Sequence, residues 1–172
     1  MFVSGEYVVH GYNGLCLVEN VTHLNMSGIN KDALYYILRP LNSEESKIYL
    51  PVDSDKMVSR RIMTKEEAAQ FLEQIDNVEL FWNPNHKFRE EMYKTAMKTC
   101  DCRMWIRIIK TLYLHQKERE AIGKRISASD ERFLKHAEEY LFQELSLATG
   151  ETYDEMRKQV MDKIMKKEAA AN

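Results

Sequence analysis

Cysteine and histidine are the residue types that most often bind zinc, and this 172-residue sequence has only three cysteines and five histidines. Cys100 and Cys102 are separated by one residue, with His86 and His115 as the nearest histidines. Zinc sites usually leave two to four residues between paired cysteines, so this spacing predicts ordinary cysteines at a helix start. We therefore predict no metal ion and no cofactor.

Catalytic patterns are also missing from the sequence. It has no phosphate-binding glycine loop, no dinucleotide-type glycine cluster and no nucleophile elbow. Glu90-Glu91 and Glu138-Glu139 are neighbouring carboxylates, but adjacent residues on a helix diverge by about 100° and rarely share one site. We predict no catalytic residue, no small-molecule substrate and no enzyme activity.

Basic residues give a stronger signal. Residues 83–125 carry 11 basic and 5 acidic side chains, whereas residues 1–82 have a net charge of −5. Four basic residues share one face of a predicted helix, at i, i+4, i+7 and i+14: Arg103, Arg107, Lys110 and Lys117. Other basic residues flank that helix in sequence: Lys87, Arg89, Lys94, Lys98, Lys124 and Arg125. A solvated helix face and a surface that contacts phosphates both fit this pattern.

Trp82 stands at the start of the basic region, after Phe81 and before Asn83-Pro84. Because Pro84 biases Asn83 away from helical conformation, we predict Trp82 at a junction between two helices. Most Trp side chains are largely buried, so Phe81 and Trp82 could plug the base of the helical region. The alternative is an exposed apolar ring that inserts between base pairs in the DNA minor groove.

The elements that would position these residues fall into two groups, which predicts an α+β fold with two domains. Strands are predicted at 7–10, 15–24, 34–38 and 47–50, with Leu15, Leu17 and Val21 on one face of the second strand. Four or five short antiparallel strands would form a small, strongly bent sheet with exposed edges.

About five helices are predicted from residue 64 onward. Thr64 and Thr152 each begin a capping box, Asp101 and Ser127 can cap two further helices, and Gly150 can end one. We predict one domain at 1–56, a linker at 57–63 and an all-α domain at 64–172.

Several segments, spread over about residues 1–149, match one known family in the same order along the chain. They begin with Gly5-Glu6-Tyr7-Val8-Val9-His10-Gly11 and continue at 14–21, 35–41, 48–52, 89–94, 109–113, 117–120 and 137–141. This set resembles the CarD/CdnL family of bacterial transcription regulators. The first module is also similar to the polymerase-interacting domain of the transcription-repair coupling factor, but the sequence lacks helicase motifs.

The resemblance implies a Tudor-like β half-barrel at 1–56 that docks on the β subunit of RNA polymerase. The helical domain would then contact promoter DNA at the upstream edge of the melted region, largely without sequence preference. In the family, an exposed Trp wedges into the minor groove and holds the open complex, and Trp82 would be that residue here. The residues expected to contact DNA are Trp82, Lys87, Arg89, Arg103, Arg107, Lys110, Lys117, Lys124 and Arg125.

Docking on the polymerase is expected at one edge of the small sheet. The residues expected there are Leu24, Asn25, Met26, Tyr36, Ile37, Leu38 and Tyr49. Relatives often carry a basic residue where this sequence has Tyr49, and an Arg-Thr pair where it has Leu24-Asn25-Met26. Docking would therefore depend more on apolar and backbone contacts, or on a polymerase that has co-adapted.

Two other functions fit the same residues. One is a polymerase-independent architectural protein that binds DNA with little sequence preference, and the other is an adaptor that joins two proteins. No apolar run reaches the roughly 18–20 residues that span a bilayer, and residues 1–7 do not resemble a secretory signal. We expect a cytoplasmic monomer without a membrane partner, associated with the nucleoid through RNA polymerase.

Overall fold

The computed structural model describes residues 1–55 and 58–171 of the chain, which divides into two compact units. The N-terminal unit, Met1–Ile62, contains five strands among its described residues, and the helical unit, Met63–Asn172, contains five α-helices in its described part. The predicted α+β class with two parts is therefore confirmed. The predicted boundary between residues 56 and 57 lies outside the described residues.

One antiparallel sheet forms the N-terminal unit. Its strands are β1 (Tyr7–His10), β2 (Leu15–His23), β3 (Leu34–Pro40), β4 (Ile48–Pro51) and β5 (Ser59–Arg61), in the spatial order β4-β3-β2-β1-β5. β5 was not predicted from the sequence, and it falls within the predicted linker at 57–63. Its Ser-Arg-Arg sequence has no β-branched or aromatic residue, so only pairing with β1 reveals it as a strand.

A β-bulge determines which residues of β2 face the core of the N-terminal unit. The register between β2 and β3 shifts between Val18 and Asn20, so Val21 joins the face that carries Cys16 and Val18. The prediction that Leu15, Leu17 and Val21 share one face is therefore wrong. The buried cluster on this face consists of Val8, Cys16, Val18, Tyr36, Leu38 and Leu50.

The helical unit contains α1 (Lys65–Gln74), α2 (His86–Lys98), α3 (Cys102–Ala121), α4 (Ala128–Thr149) and α5 (Tyr153–Ala171). The predicted starts are confirmed, because Thr64, Asp101 and Ser127 each accept a hydrogen bond from a backbone N–H of the first turn. Gly150 ends α4 in the left-handed conformation, at φ +80°. In the described part of the chain, no helix has the length and apolar character needed to cross a membrane.

The core of the helical unit lies around α3. Trp105, Ile108 and Leu112 of α3 are fully buried, as are Leu141 and Leu145 of α4. The apolar face of α5 also belongs to this core, through Met156, Val160 and Ile164. These positions step by three and four residues along each helix, as expected for one buried face.

The last turns of α5 contact the end of α1. Lys163 Nζ donates a hydrogen bond to the carbonyl of Leu72 at 2.6 Å, and Lys167 Nζ donates to the carbonyl of Asp76. Lys167 Nζ also lies 3.0 Å from Asn77 Oδ1. Two cations therefore satisfy carbonyl groups at the carboxyl end of α1 and in the short 3-10 turn that follows it.

Candidate functional site

Trp82 lies on an irregular stretch between the 3-10 turn after α1 and the start of α2, residues 78–85, which we call the Trp82 segment. Side chains of α2 and α3 bind its backbone. Lys110 Nζ donates to Val78 O at 3.0 Å, and Tyr93 Oη donates to Phe81 O at 2.9 Å. The Phe81 N–H donates to Thr111 Oγ1 at 2.7 Å. Hydrogen bonds with side chains of α2 and α3 thus hold a segment that forms no helix or strand of its own.

The Trp82 indole is held at the surface of the helical unit. Its side chain is 39% exposed, and its ring centroid lies 4.4 Å from that of His115 on α3, with an angle of 46° between the ring planes. Arg89 Cζ lies 4.1 Å from the centroid of the indole, within the range of a cation–π contact. Phe81, in contrast, is half-buried and packs against Tyr93. Of the two aromatic residues, only Phe81 has the burial expected of a plug.

Arg89 does not lie on a surface that DNA could reach. It is only 5% exposed, and its Nε and Nη2 donate to the two carboxylate oxygens of Asp130 at 2.9 and 2.7 Å. Its Nη1 donates to Asn83 O at 2.8 Å. A buried guanidinium with three of its N–H groups bound inside the protein cannot contact a phosphate, which corrects the expectation that Arg89 contacts DNA.

Electrostatics keep the Arg89–Asp130 pair charged. Burial alone would raise the pKa of Asp130, but hydrogen bonds from Arg89 and from Ser127 outweigh it and hold this pKa below its ordinary value. Hydrogen bonding to Asp130 raises the pKa of Arg89, against the opposing effect of burial. The pair is thus fully ionised at neutral pH, as a bidentate guanidinium–carboxylate contact requires.

The basic face predicted for α3 is only partly exposed. Lys110 is buried. Its Nζ donates to Val78 O and lies 3.6 Å from a carboxylate oxygen of Glu168 on α5. The expectation that Lys110 contacts a phosphate is therefore wrong. Arg107 is half-buried, and its Cζ lies 4.7 Å from the centroid of the Phe81 ring. The predicted DNA-contact residues that are exposed, apart from Trp82, are Lys87, Arg103, Lys117, Lys124 and Arg125.

The residues predicted to dock on the polymerase also divide into exposed and buried sets. Asn25, Met26 and Tyr49 are exposed, whereas Leu24 and Ile37 are half-buried. Tyr36 and Leu38 belong to the buried cluster of the N-terminal unit, which corrects their assignment to a docking surface. Successive residues of a strand point to opposite faces, so only Ile37 of these three β3 residues shares a face with Tyr49, its register partner on β4.

The sequence gives no sign that Arg89 and Asp130 form a pair beside Trp82. Asp130 lies in the first turn of α4, where an acidic residue is favourable whether or not it has a distant partner. Its partner Arg89 is 41 residues away, and no local pattern reports a contact over that separation. Among the described residues, no cluster of three or more His, Cys, Asp or Glu side chains is placed to hold a metal ion.

Asp130→Asn should destabilise the helical unit, because it leaves Arg89 buried without a carboxylate. We expect the free energy of unfolding at pH 7 to fall by about 3–5 kcal/mol. Since the folded-state pKa of Asp130 is depressed, its stabilisation is complete above the unfolded pKa of about 3.9 and is lost as the pH falls through the folded value. Urea unfolding followed by circular dichroism at several pH values measures this difference.

The difference between the native protein and the Asp130→Asn variant should therefore shrink below about pH 4. Asp162→Asn is the matched control, because Asp162 is an exposed partner of Lys158 on α5. Its removal should change stability little at any pH. If the difference in the free energy of unfolding between the native protein and Asp130→Asn stays constant well below about pH 4, this account of the pair is contradicted.

Comparison with protein-family models identifies both units. The model described as CarD-like/TRCF RID domain matches residues 2–62, and the model described as CarD, C-terminal domain matches residues 67–161. A search of curated proteins finds no match. The second model alone spans more than half of the chain, and the two follow each other in the order of the two units. The chain therefore belongs to the CarD family of transcription regulators that interact with RNA polymerase.

Proposed function

We propose that the N-terminal unit docks on the β subunit of RNA polymerase and that the helical unit stabilises the open promoter complex by contacting DNA at the upstream edge of the bubble. The observation that supports this most directly is the state of Trp82. Its indole is 39% exposed, yet it contacts Arg89 and His115, and its segment is bound to α2 and α3.

An ordered, exposed apolar ring suits insertion into DNA. Inserting a side chain between base pairs costs a few kcal/mol of unstacking, which is least where the duplex is already opening. A ring that is already held in place also loses little conformational freedom when it binds. Trp82 would therefore bind the open complex more tightly than the closed one, and this difference in affinity shifts the equilibrium toward the open state.

Those cations of the helical unit that were predicted to contact DNA and are exposed would contact phosphates on either side of the base-pair step that Trp82 enters. They are Lys87, Arg103, Lys117, Lys124 and Arg125, with Arg107 half-buried. Two hydrogen bonds to backbone carbonyls shape the loop after α3, because Arg119 Nε donates to Arg125 O and the Lys124 N–H donates to Arg119 O. Phosphate contacts carry no sequence information, so the isolated protein should bind duplex DNA only at about the 10⁻⁴–10⁻⁶ M level.

Docking of the N-terminal unit is proposed at the β4 edge of the sheet. β4 is the outermost strand on that side, and an edge strand can accept a further strand from a partner. Tyr49 lies on β4 opposite Ile37, on the sheet face away from the buried cluster. The exposed Met26 belongs to the loop between β2 and β3. A partner strand at this edge would contact apolar side chains as well as backbone groups.

Tyr49→Glu should abolish binding to RNA polymerase, because it places a charge in an apolar contact. Binding to purified polymerase can be measured by biolayer interferometry, with circular dichroism as the test of folding. Tyr12→Glu is a matched control, since Tyr12 is 45% exposed and Tyr49 is 43% exposed, and Tyr12 lies in the turn between β1 and β2. The docking surface is wrongly assigned if polymerase binding survives both Tyr49→Glu and Met26→Glu.

Lys124→Gln and Arg125→Gln should each weaken binding to duplex DNA similarly for all sequences. Each loss of a phosphate contact should reduce the slope of log affinity against log salt by about one unit. Fluorescence anisotropy of labelled duplexes over a salt series measures this slope. Lys158→Gln on α5, a highly exposed lysine paired with Asp162, is the control and should leave the slope unchanged. An unaltered slope in both loop variants would refute phosphate contact by this loop.

Trp82→Ala should shorten the lifetime of the open complex while polymerase binding persists. The loss of stability should be smaller than the about 3–5 kcal/mol typical of a buried Trp, because the indole is partly exposed. Decay of the open complex after heparin challenge and a melting curve give the two quantities. Leu147→Ala is a control of equal exposure, 39%, on α4. A large drop in melting temperature with an unchanged open-complex lifetime would show that Trp82 acts as a core residue.

A further inference from the structure

We infer that Arg89 is the positioning residue for Trp82, and that buried Asp130 fixes Arg89 so that the indole keeps one orientation at the surface. The consequence for the open complex rests on the proposed function of Trp82. The geometric part concerns only the helical unit, to which all three residues belong.

Arg89 contacts the Trp82 segment in two ways. Its Nη1 donates to the carbonyl of Asn83, the residue directly after Trp82, at 2.8 Å. Its Cζ also lies 4.1 Å from the centroid of the indole. One guanidinium therefore restrains both the backbone next to Trp82 and the ring itself. This combination needs a planar group with several fixed N–H donors, which lysine does not have.

Asp130 restrains Arg89 in turn. Two hydrogen bonds between the carboxylate and the Nε and Nη2 atoms fix the plane of the guanidinium, because both groups are planar and the contact is bidentate. Ser127 Oγ donates to the same carboxylate at 2.8 Å, and the Asp130 backbone N–H donates to Ser127 Oγ. The carboxylate is thus anchored to the first turn of α4, and Arg89 transmits that position to Trp82.

Burial makes this support rigid. Both side chains of the pair are almost completely inaccessible, so neither can move to solvent without leaving a buried charge. The other ring contact of Trp82 is different in kind, because His115 is itself half-buried and its ring is tilted relative to the indole. We therefore expect the orientation of the indole to depend more on Arg89 than on His115.

The test uses a variant that leaves no charge buried without a partner, Arg89→Met/Asp130→Asn, together with the milder Arg89→Lys. Acrylamide quenching of Trp fluorescence in the full chain measures the accessibility of Trp82. Trp105 is fully buried, so the quenchable emission belongs to Trp82, and Trp82→Phe provides the blank. Without the cation–π contact we expect the quenching constant to rise about twofold and the anisotropy of the quenchable emission to fall.

Arg89→Lys should show a smaller rise in quenching, because lysine keeps the charge but loses the planar contact. Circular dichroism identifies which variants are folded. If the double variant does not fold, Arg89→Lys alone decides the question. A folded variant that keeps the native quenching constant and anisotropy would overturn the inference, because Trp82 would then be held without Arg89.

The lifetime of the open complex gives a second readout that a purely structural role would not produce. Trp82→Ala and Arg89→Met/Asp130→Asn should each shorten this lifetime, and the triple variant should match Trp82→Ala. Additional shortening in the triple variant would overturn the inference, because Arg89 would then act independently of Trp82. If Trp82→Ala leaves the lifetime unchanged, the proposed function fails, and the quenching result still decides whether Arg89 positions the indole.

Discussion

The Trp82 segment forms no helix or strand, so its backbone groups need hydrogen-bond partners from other parts of the helical unit. The side chains of the neighbouring helices meet this requirement. A buried carbonyl or N–H without a partner costs free energy, so the neighbouring helices supply donors and acceptors at defined positions. α2 contributes Arg89 and Tyr93, and α3 contributes Lys110 and Thr111. The position of Trp82 thus results from hydrogen bonds between its segment and side chains of α2 and α3, because the segment has no regular secondary structure to fix its backbone.

This requirement also explains why the basic residues of the helical unit serve two purposes. Arg89 and Lys110 act as internal donors, and each has an acidic group nearby, Asp130 at 2.7 Å and Glu168 at 3.6 Å. Both positive charges are therefore balanced inside the protein. The cations that are left for a nucleic acid are the exposed ones, and two of them, Lys124 and Arg125, lie in the loop after α3.

Local patterns in the sequence predicted the helices well, because the signals that start and stop a helix lie within four residues of one another. The capping boxes at Thr64 and Thr152 are both present, each with reciprocal hydrogen bonds to the glutamate three residues later. Predictions that depend on distant neighbours were less accurate. The helical period of 3.6 residues correctly places Lys110 and Arg103 on one face of α3. It could not show that Lys110 is buried and bound to the Trp82 segment while Arg103 stays exposed. The β-bulge beyond Val18 had a similar effect on β2, since one extra residue reverses which side chains face the core.

The hydrogen bonds from Lys163 and Lys167 to the end of α1 connect the last helix of the unit with the first. Both lysines lie beyond residue 161, where the match to the CarD C-terminal domain ends. During synthesis, the strands of the N-terminal unit leave the ribosome within the first 62 residues and can pair while the rest of the chain is still being made. The contacts of Lys163 and Lys167 form only after the final turns of α5 have been made, so partially synthesised chains would carry a finished sheet and a helical unit whose first helix still lacks these contacts.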